Sequence, residues 1–297
     1  MRPPRVLDFH VHPVEVQEQR PWARRLYETL APEVTARLKE FDDPAVLRRE
    51  LASQGVDEAV VLAEAAPLAS GWVYNETICA YAAAGNALAI DEPSEGGAPT
   101  EDGRREPPDP WLHPFVSFNP YTHHDMAGEL DELRSRWRVA GIKLTPPYQH
   151  YEPADPRMYP LYARCQDLGL PVMFHTGLST FKGSRLKYAD PLLLDDVAVD
   201  FPRLNIVLAH SGRGVWYDRA ALLARLHENV FLELAGLPPK HLPTYFPDLA
   251  RLASKMIFGS DWPVLPDLAG NVAALAELFG ERAEDVLYRT GKALLPQ

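Results

Sequence analysis

The chain has 297 residues, 46% of them hydrophobic, with 30 basic and 41 acidic side chains and a formal net charge of −11. That length suits one large α/β domain with a sizeable core, and the acidity gives no electrostatic footprint for nucleic acid or an anionic membrane. No apolar run reaches the roughly 18 residues of a membrane-spanning helix, and Met1–Arg5 leads straight into an apolar strand, so a cytoplasmic protein is expected. Cys79 and Cys165 fall in expected helices, form no CxxC pair and read as buried, reduced thiols.

Strands and helices alternate along the chain. The first strand covers about Arg5–Phe9 and delivers His10 and His12. Helical patterns follow at Pro32–Lys39 and Pro44–Gln54. The second strand is Glu58–Leu62, followed by a helix over Asn75–Ile90. The third is about Pro114–Phe118, with a helix over Asp125–Arg138, and the fourth is Gly141–Leu144, with a helix over Pro156–Leu168 that Gly169 stops. The fifth, Leu170–Phe174, delivers His175. Its helix opens at Asp190-Pro191, an N-cap residue ahead of a first-turn proline. The sixth, Leu204–Ala209, delivers His210 and precedes a helix at Tyr217–His227. The seventh is Val230–Leu234, followed by a helix at Leu242–Ala253. The eighth, Met256–Ser260, delivers Asp261, and helices at Leu268–Leu278 and Arg282–Leu294 finish the pattern.

Short apolar runs bounded by turn residues are the mark of strands buried in a parallel sheet. Eight of them, each followed by helix, favour a closed (β/α)8 TIM barrel over an open sheet, as one domain across 1–297. The stretch 91–110 is rich in Pro, Gly, Glu and Asp and reads as a mobile surface loop inside that domain.

In such a barrel, chemistry collects at the C-terminal ends of the strands. His10 and His12, two apart on a strand, point to one face. A lone strand-end histidine is more often structural, but His175 and His210 repeat the placement, each ahead of a glycine-containing turn. Asp261 sits in Phe258-Gly259-Ser260-Asp261-Trp262-Pro263. Several imidazoles and a carboxylate at one mouth make a metal site of the open, catalytic kind.

Taken together, Asp8–Pro13, Gly141–Leu144, Gly169–Gly177, Phe201–Gly212 and Phe258–Pro263 resemble the amidohydrolase superfamily. The resemblance is strongest to its amidohydrolase-2 branch, which includes enzymes like aminocarboxymuconate-semialdehyde decarboxylase and resorcylate decarboxylase. It implies that His10, His12, His175 and Asp261 bind one divalent metal ion, zinc by expectation, with manganese or iron(II) as alternatives. It also implies that His210 and Asp261 are catalytic. A metal ion with an open position brings the pKa of bound water to roughly 7. Asp261 then takes and delivers a proton, and His210 polarises a carbonyl or orients the water.

Lys143, at the end of the fourth strand, reads as a structural or substrate-binding residue, with a carboxylated bridge between two metal ions as the alternative. Arg213 is the first candidate to grip a substrate carboxylate, with Arg185 the second. Tyr148 and Trp262 are further substrate-contact candidates, along with Trp22 and Trp72. Glu233 ends the seventh strand with its role open. The other histidines read as packing or surface residues, His150 being the one most open to exception.

The expected activity is hydrolysis of a small cyclic amide, lactone or ester-like substrate. The alternative is non-oxidative decarboxylation of a small unsaturated or aromatic acid on the same residues. A small molecule is the expected partner, and a homodimer stays open.

Overall fold

The computed structural model describes residues 4–13, 19–88, 109–179 and 181–296. Its main sheet has eight parallel strands in chain order: β1 (Leu7–Val11), β2 (Glu58–Leu62), β3 (Leu112–Val116), β4 (Gly141–Leu144), β5 (Val172–Gly177), β6 (Ile206–Arg213), β7 (Val230–Glu233) and β8 (Met256–Ile257). The two edges meet. Phe9 N–H donates to Phe258 O at 3.0 Å, Asp261 N–H to His10 O at 3.1 Å and His12 N–H to Trp262 O at 2.9 Å, closing a TIM barrel. Among the described residues, no helix is long and apolar enough to cross a membrane.

The strands are buried on both faces because alternate residues feed two cores. Leu7, Phe9, Val60, Leu62, Phe115, Met173, Val207, Ala209 and Ile257 form one cluster, inside the barrel. Their neighbours, including Val61, Ile142, Phe174, Leu208 and Leu232, join a larger layer with the surrounding helices. At the N-terminal end Tyr288, Leu294 and Leu295 plug the interior cluster. Glu58 is buried there, with Arg5 at 2.6 Å, His113 at 2.8 Å, Tyr288 at 2.8 Å and Lys292 at 2.6 Å.

Three features differ from the sequence expectation. A helix at Pro21–Leu30 follows β1, unpredicted because Arg20 gives no side-chain cap and its first turn holds no acidic residue, although Trp22, Leu26 and Leu30 recur at helical spacing. A hairpin of Glu64–Ala66 and Gly71–Val73 follows β2, built from strands too short for a periodic signal. The helix expected over Leu242–Ala253 is broken into Leu242–Tyr245 and Leu249–Leu252, because Pro247 between them cannot donate to a helical ladder. The loop expected at 91–110 lies, except for its last two residues, outside the described residues.

Candidate active site

Side-chain alternation selects what reaches the C-terminal mouth. Lys143, His175 and Glu233 occupy the inward register of β4, β5 and β7, since Ile142, Leu144, Phe174 and Leu232 belong to the outer layer. Inward register alone does not deliver the rest. Leu7 and Phe9 face inward on β1, so His10 should face out. The pairing of β1 with β2 shifts between Asp8 and Val11, and this irregularity turns His10 and His12 to the mouth. Likewise Val207 and Ala209 face inward on β6, and His210 follows with φ 63° and Ser211 with φ 47°. Asp261 has φ 66°. Left-handed backbone is costly for such residues, and it collects here at the mouth.

The resulting cavity has a volume of about 290 Å³. Its polar wall holds His10, His12, Lys143, His175, His210, Arg213 and Asp261, and its apolar wall includes Leu26, Leu178, Phe181 and Val264. His10 Nε2 lies 3.5 Å and His12 Nε2 3.8 Å from Asp261 Oδ1. Ligand atoms of His10, His12 and Asp261 all lie within 4.8 Å of one another, as do those of His10, His210 and Glu233. The His175 and His210 ring centroids are 4.6 Å apart, and those of His10 and His210 are 5.0 Å apart. Lys143 Nζ stands 3.2 Å from His10 Nε2 and 3.3 Å from Met173 Sδ. Tyr148 Oη is 3.4 Å from His175 Nε2. His210 Nδ1 is 2.9 Å from Ala235 O, which can only accept, so the neutral ring carries its proton there and leaves Nε2 bare.

Burial dominates the electrostatics. It pushes the His10, His175 and His210 imidazoles well below their ordinary value, and His12 down to about 4 despite the opposing pull of Asp261. These rings are therefore neutral at pH 7, the form that binds metal. Burial also pushes Lys143 down and Glu233 up, while the opposite charge of each pulls the other back towards its ionised form. For Asp261, burial pushes upward, but His10, Arg213, His12 and Lys143 together hold the carboxyl below its ordinary value.

Four of the expected substrate contacts, Trp262, Arg185, Trp22 and Trp72, lie off the cavity wall. Trp262 is fully buried in the outer layer, its ring edge-on to Phe41 at 4.8 Å, because the chain turns outward after Asp261. Arg185 is exposed and absent from the cavity wall, and its backbone N–H donates to Pro147 O at 2.8 Å. Trp22 donates to Ala69 O at 2.8 Å, and His150 Nε2 meets Gly183 O at 2.5 Å. Arg213 and Tyr148 do line the cavity.

Three ionisable residues in or beneath the site were not singled out from sequence. Glu64 and Tyr27 line the cavity from the hairpin and the Pro21–Leu30 helix. Burial pushes Glu64 up to about 7, although the Ser70 hydroxyl donates to it. The inward alternation Val60, Leu62, Glu64 was the signal available. Asp8 is fully buried beneath the site, where its Oδ1 accepts from His10 N–H at 3.0 Å and Ser260 N–H at 2.9 Å.

The amidohydrolase family model matches residues 7–289, and the chain belongs to that family. No protein of curated function matches it. Among solved structures, an uncharacterized TIM-barrel protein from Bordetella bronchiseptica is similar, at 22% identity over 98% of both chains with a TM-score of 0.69. A probable 2-pyrone-4,6-dicarboxylic acid hydrolase from Acinetobacter baumannii shares 16% identity over 97% of this chain and 98% of its own, with a TM-score of 0.63. A 2,6-dihydroxybenzoate decarboxylase from Rhizobium shares 15% over 98% of both chains, with a TM-score of 0.62. At these identities the structural likeness speaks to the fold.

Proposed function

We propose that the protein is a metal-dependent hydrolase of a small cyclic amide, lactone or ester-like substrate. The observation that carries this reading is the convergence of His10, His12 and Asp261 ligand atoms within 4.8 Å on the wall of a cavity that also takes in His175 and His210. The donor set fits a divalent ion: neutral imidazoles beside an ionised carboxylate. His10, His12, His175 and Asp261 would hold it, and zinc is the expected metal. Bound there, such an ion supplies Lewis acidity and an acidified water.

The chain's own residues supply the remaining steps. Asp261, kept ionised, takes the proton of the attacking water and returns it to the leaving oxygen or nitrogen. His210 has its Nδ1 proton committed to Ala235 O, so bare Nε2 accepts from the water and orients it. Polarising a carbonyl would need a proton on Nε2, which this arrangement does not give. Arg213, on the rim, holds an anionic group of the substrate, and the apolar wall takes the ring carbons.

The test is a panel of lactones, cyclic amides and aromatic carboxylates, incubated with zinc-loaded protein while acid and CO2 release are followed. Acid release from a lactone or amide supports hydrolysis. CO2 from an aromatic acid, with no ring opening in the panel, replaces this reading with decarboxylation.

A further inference from the structure

Glu233 ends β7 fully buried, and both its carboxylate oxygens are engaged. Oε1 accepts from Ala235 N–H at 3.0 Å and Oε2 from His210 N–H at 3.0 Å. Oε2 also stands 3.4 Å from His10 Nδ1, a buried nitrogen with no aligned hydrogen-bond partner. The main chain of Glu233 takes part too, since its carbonyl accepts from Ser211 Oγ at 2.8 Å. Ala235, whose N–H the carboxylate holds, presents its own carbonyl to His210 Nδ1 at 2.9 Å.

One side chain thus reaches a histidine of β1 and clamps the left-handed turn that aims a histidine of β6. That turn, with φ 63° at His210 and 47° at Ser211, persists only where its surroundings hold it. The space is shaped around the carboxylate: a Cβ at Gly259 would collide with Oε1 and lie 3.0 Å from His10 Cβ. Facing His10 Nδ1, an acceptor favours the tautomer protonated there and leaves Nε2 bare. Carboxylates that receive the second N–H of a metal-binding histidine fix its ring and raise its basicity.

We propose that Glu233 is the positioning residue of the metal centre, setting the tautomer and ring orientation of His10 and the placement of His210 without itself touching metal or substrate. The inference rests on the reading that His10 binds the metal. Its sequence position gave no hint of this, because the histidines it serves lie on two other strands.

The experiment titrates zinc into the metal-free full-length protein against a chromophoric chelator, for wild type and Glu233→Gln, and records circular dichroism and thermal unfolding of both metal-free forms. The expected result is a folded variant that binds zinc about 10–100-fold more weakly. A folded variant with unchanged zinc affinity overturns the assignment of Glu233 while leaving the metal reading intact. A wild type that binds no zinc overturns both. If Glu233→Gln does not fold, the imidazole nitrogen NMR spectrum of zinc-loaded wild type carries the test. A proton on His10 Nδ1 supports the proposal, and a bare Nδ1 with a protonated Nε2 overturns it.

Discussion

Arg213 and Asp261 form an ion pair at the cavity mouth, Nη1 to Oδ2 at 3.7 Å. The guanidinium also donates to Leu178 O at 3.3 Å, and Gly236 leaves the room it occupies. The rim cation is thus already fixed in direction, beside the carboxylate assigned to proton transfer. A planar fork can serve Asp261 on one edge and a substrate anion on another, which an ammonium cannot reproduce. Arg213→Lys is therefore expected to weaken an anionic substrate by about 1.5–3 kcal/mol, the range for charge-assisted hydrogen bonds. Steady-state kinetics with a carboxylate-bearing substrate, alongside metal content, measures this. The loss should appear in KM with metal content intact, and an unchanged KM would place the anion elsewhere.

His210→Asn should retain most of the metal yet lose roughly 10²–10⁴ in turnover, the range for an acid–base group. Its ring is anchored by Ala235 O, and four other residues are assigned to the ion. Metal content and kcat on the same preparation decide the matter. Metal lost in step with activity would move His210 into the ligand set.

The sequence showed most of the barrel and most of the polar side chains that line the cavity, because both rest on short-range signals. β2 and β4 have the expected bounds, and Gly169 stops its helix in the left-handed conformation at φ 66°. What it could not show was long-range. His10 and His12 reach the mouth through a register shift against β2, and His210 and Asp261 through left-handed backbone. Simple alternation would have turned His10 and His210 outward. The partners of Glu233 lie on other strands, and Glu64 sits in a hairpin of three-residue strands. Trp262 follows a site residue directly, and neighbourhood in sequence misled: the indole packs on Phe41.

That packing sets a contrast between stability and binding. Trp262→Ala should destabilise the fold by about 3–5 kcal/mol, as for other fully buried aromatic side chains. At a temperature where the variant stays folded, KM should not change. Urea unfolding and kinetics on one preparation check both, and a KM effect without destabilisation would return Trp262 to the substrate wall.

Glu58 gives the fold a pH signature. Burial pushes its carboxyl up, but His113, Lys292 and Tyr288 overcome this and bring it from 4.5 down to about 2. A carboxyl whose folded value is depressed stabilises the fold fully above its unfolded value and loses that contribution as pH falls through the folded one. Stability should therefore drop by about 2–3 kcal/mol between pH 5 and pH 2, allowing for screening at the half-exposed Arg5. Glu58→Gln should flatten that segment of the profile. Urea midpoints across the range measure it, and an equally steep drop in the variant would assign the acid sensitivity to other carboxyls.

A single metal centre built from His10, His12, His175 and Asp261 is what the proposed function requires. Anomalous diffraction at the zinc edge from crystals of the zinc-loaded protein tests it most directly. One peak is expected within bonding distance of all four side chains, about 2.0–2.2 Å from each ligand atom. No peak at the mouth, or a peak that omits any of the four, would contradict it.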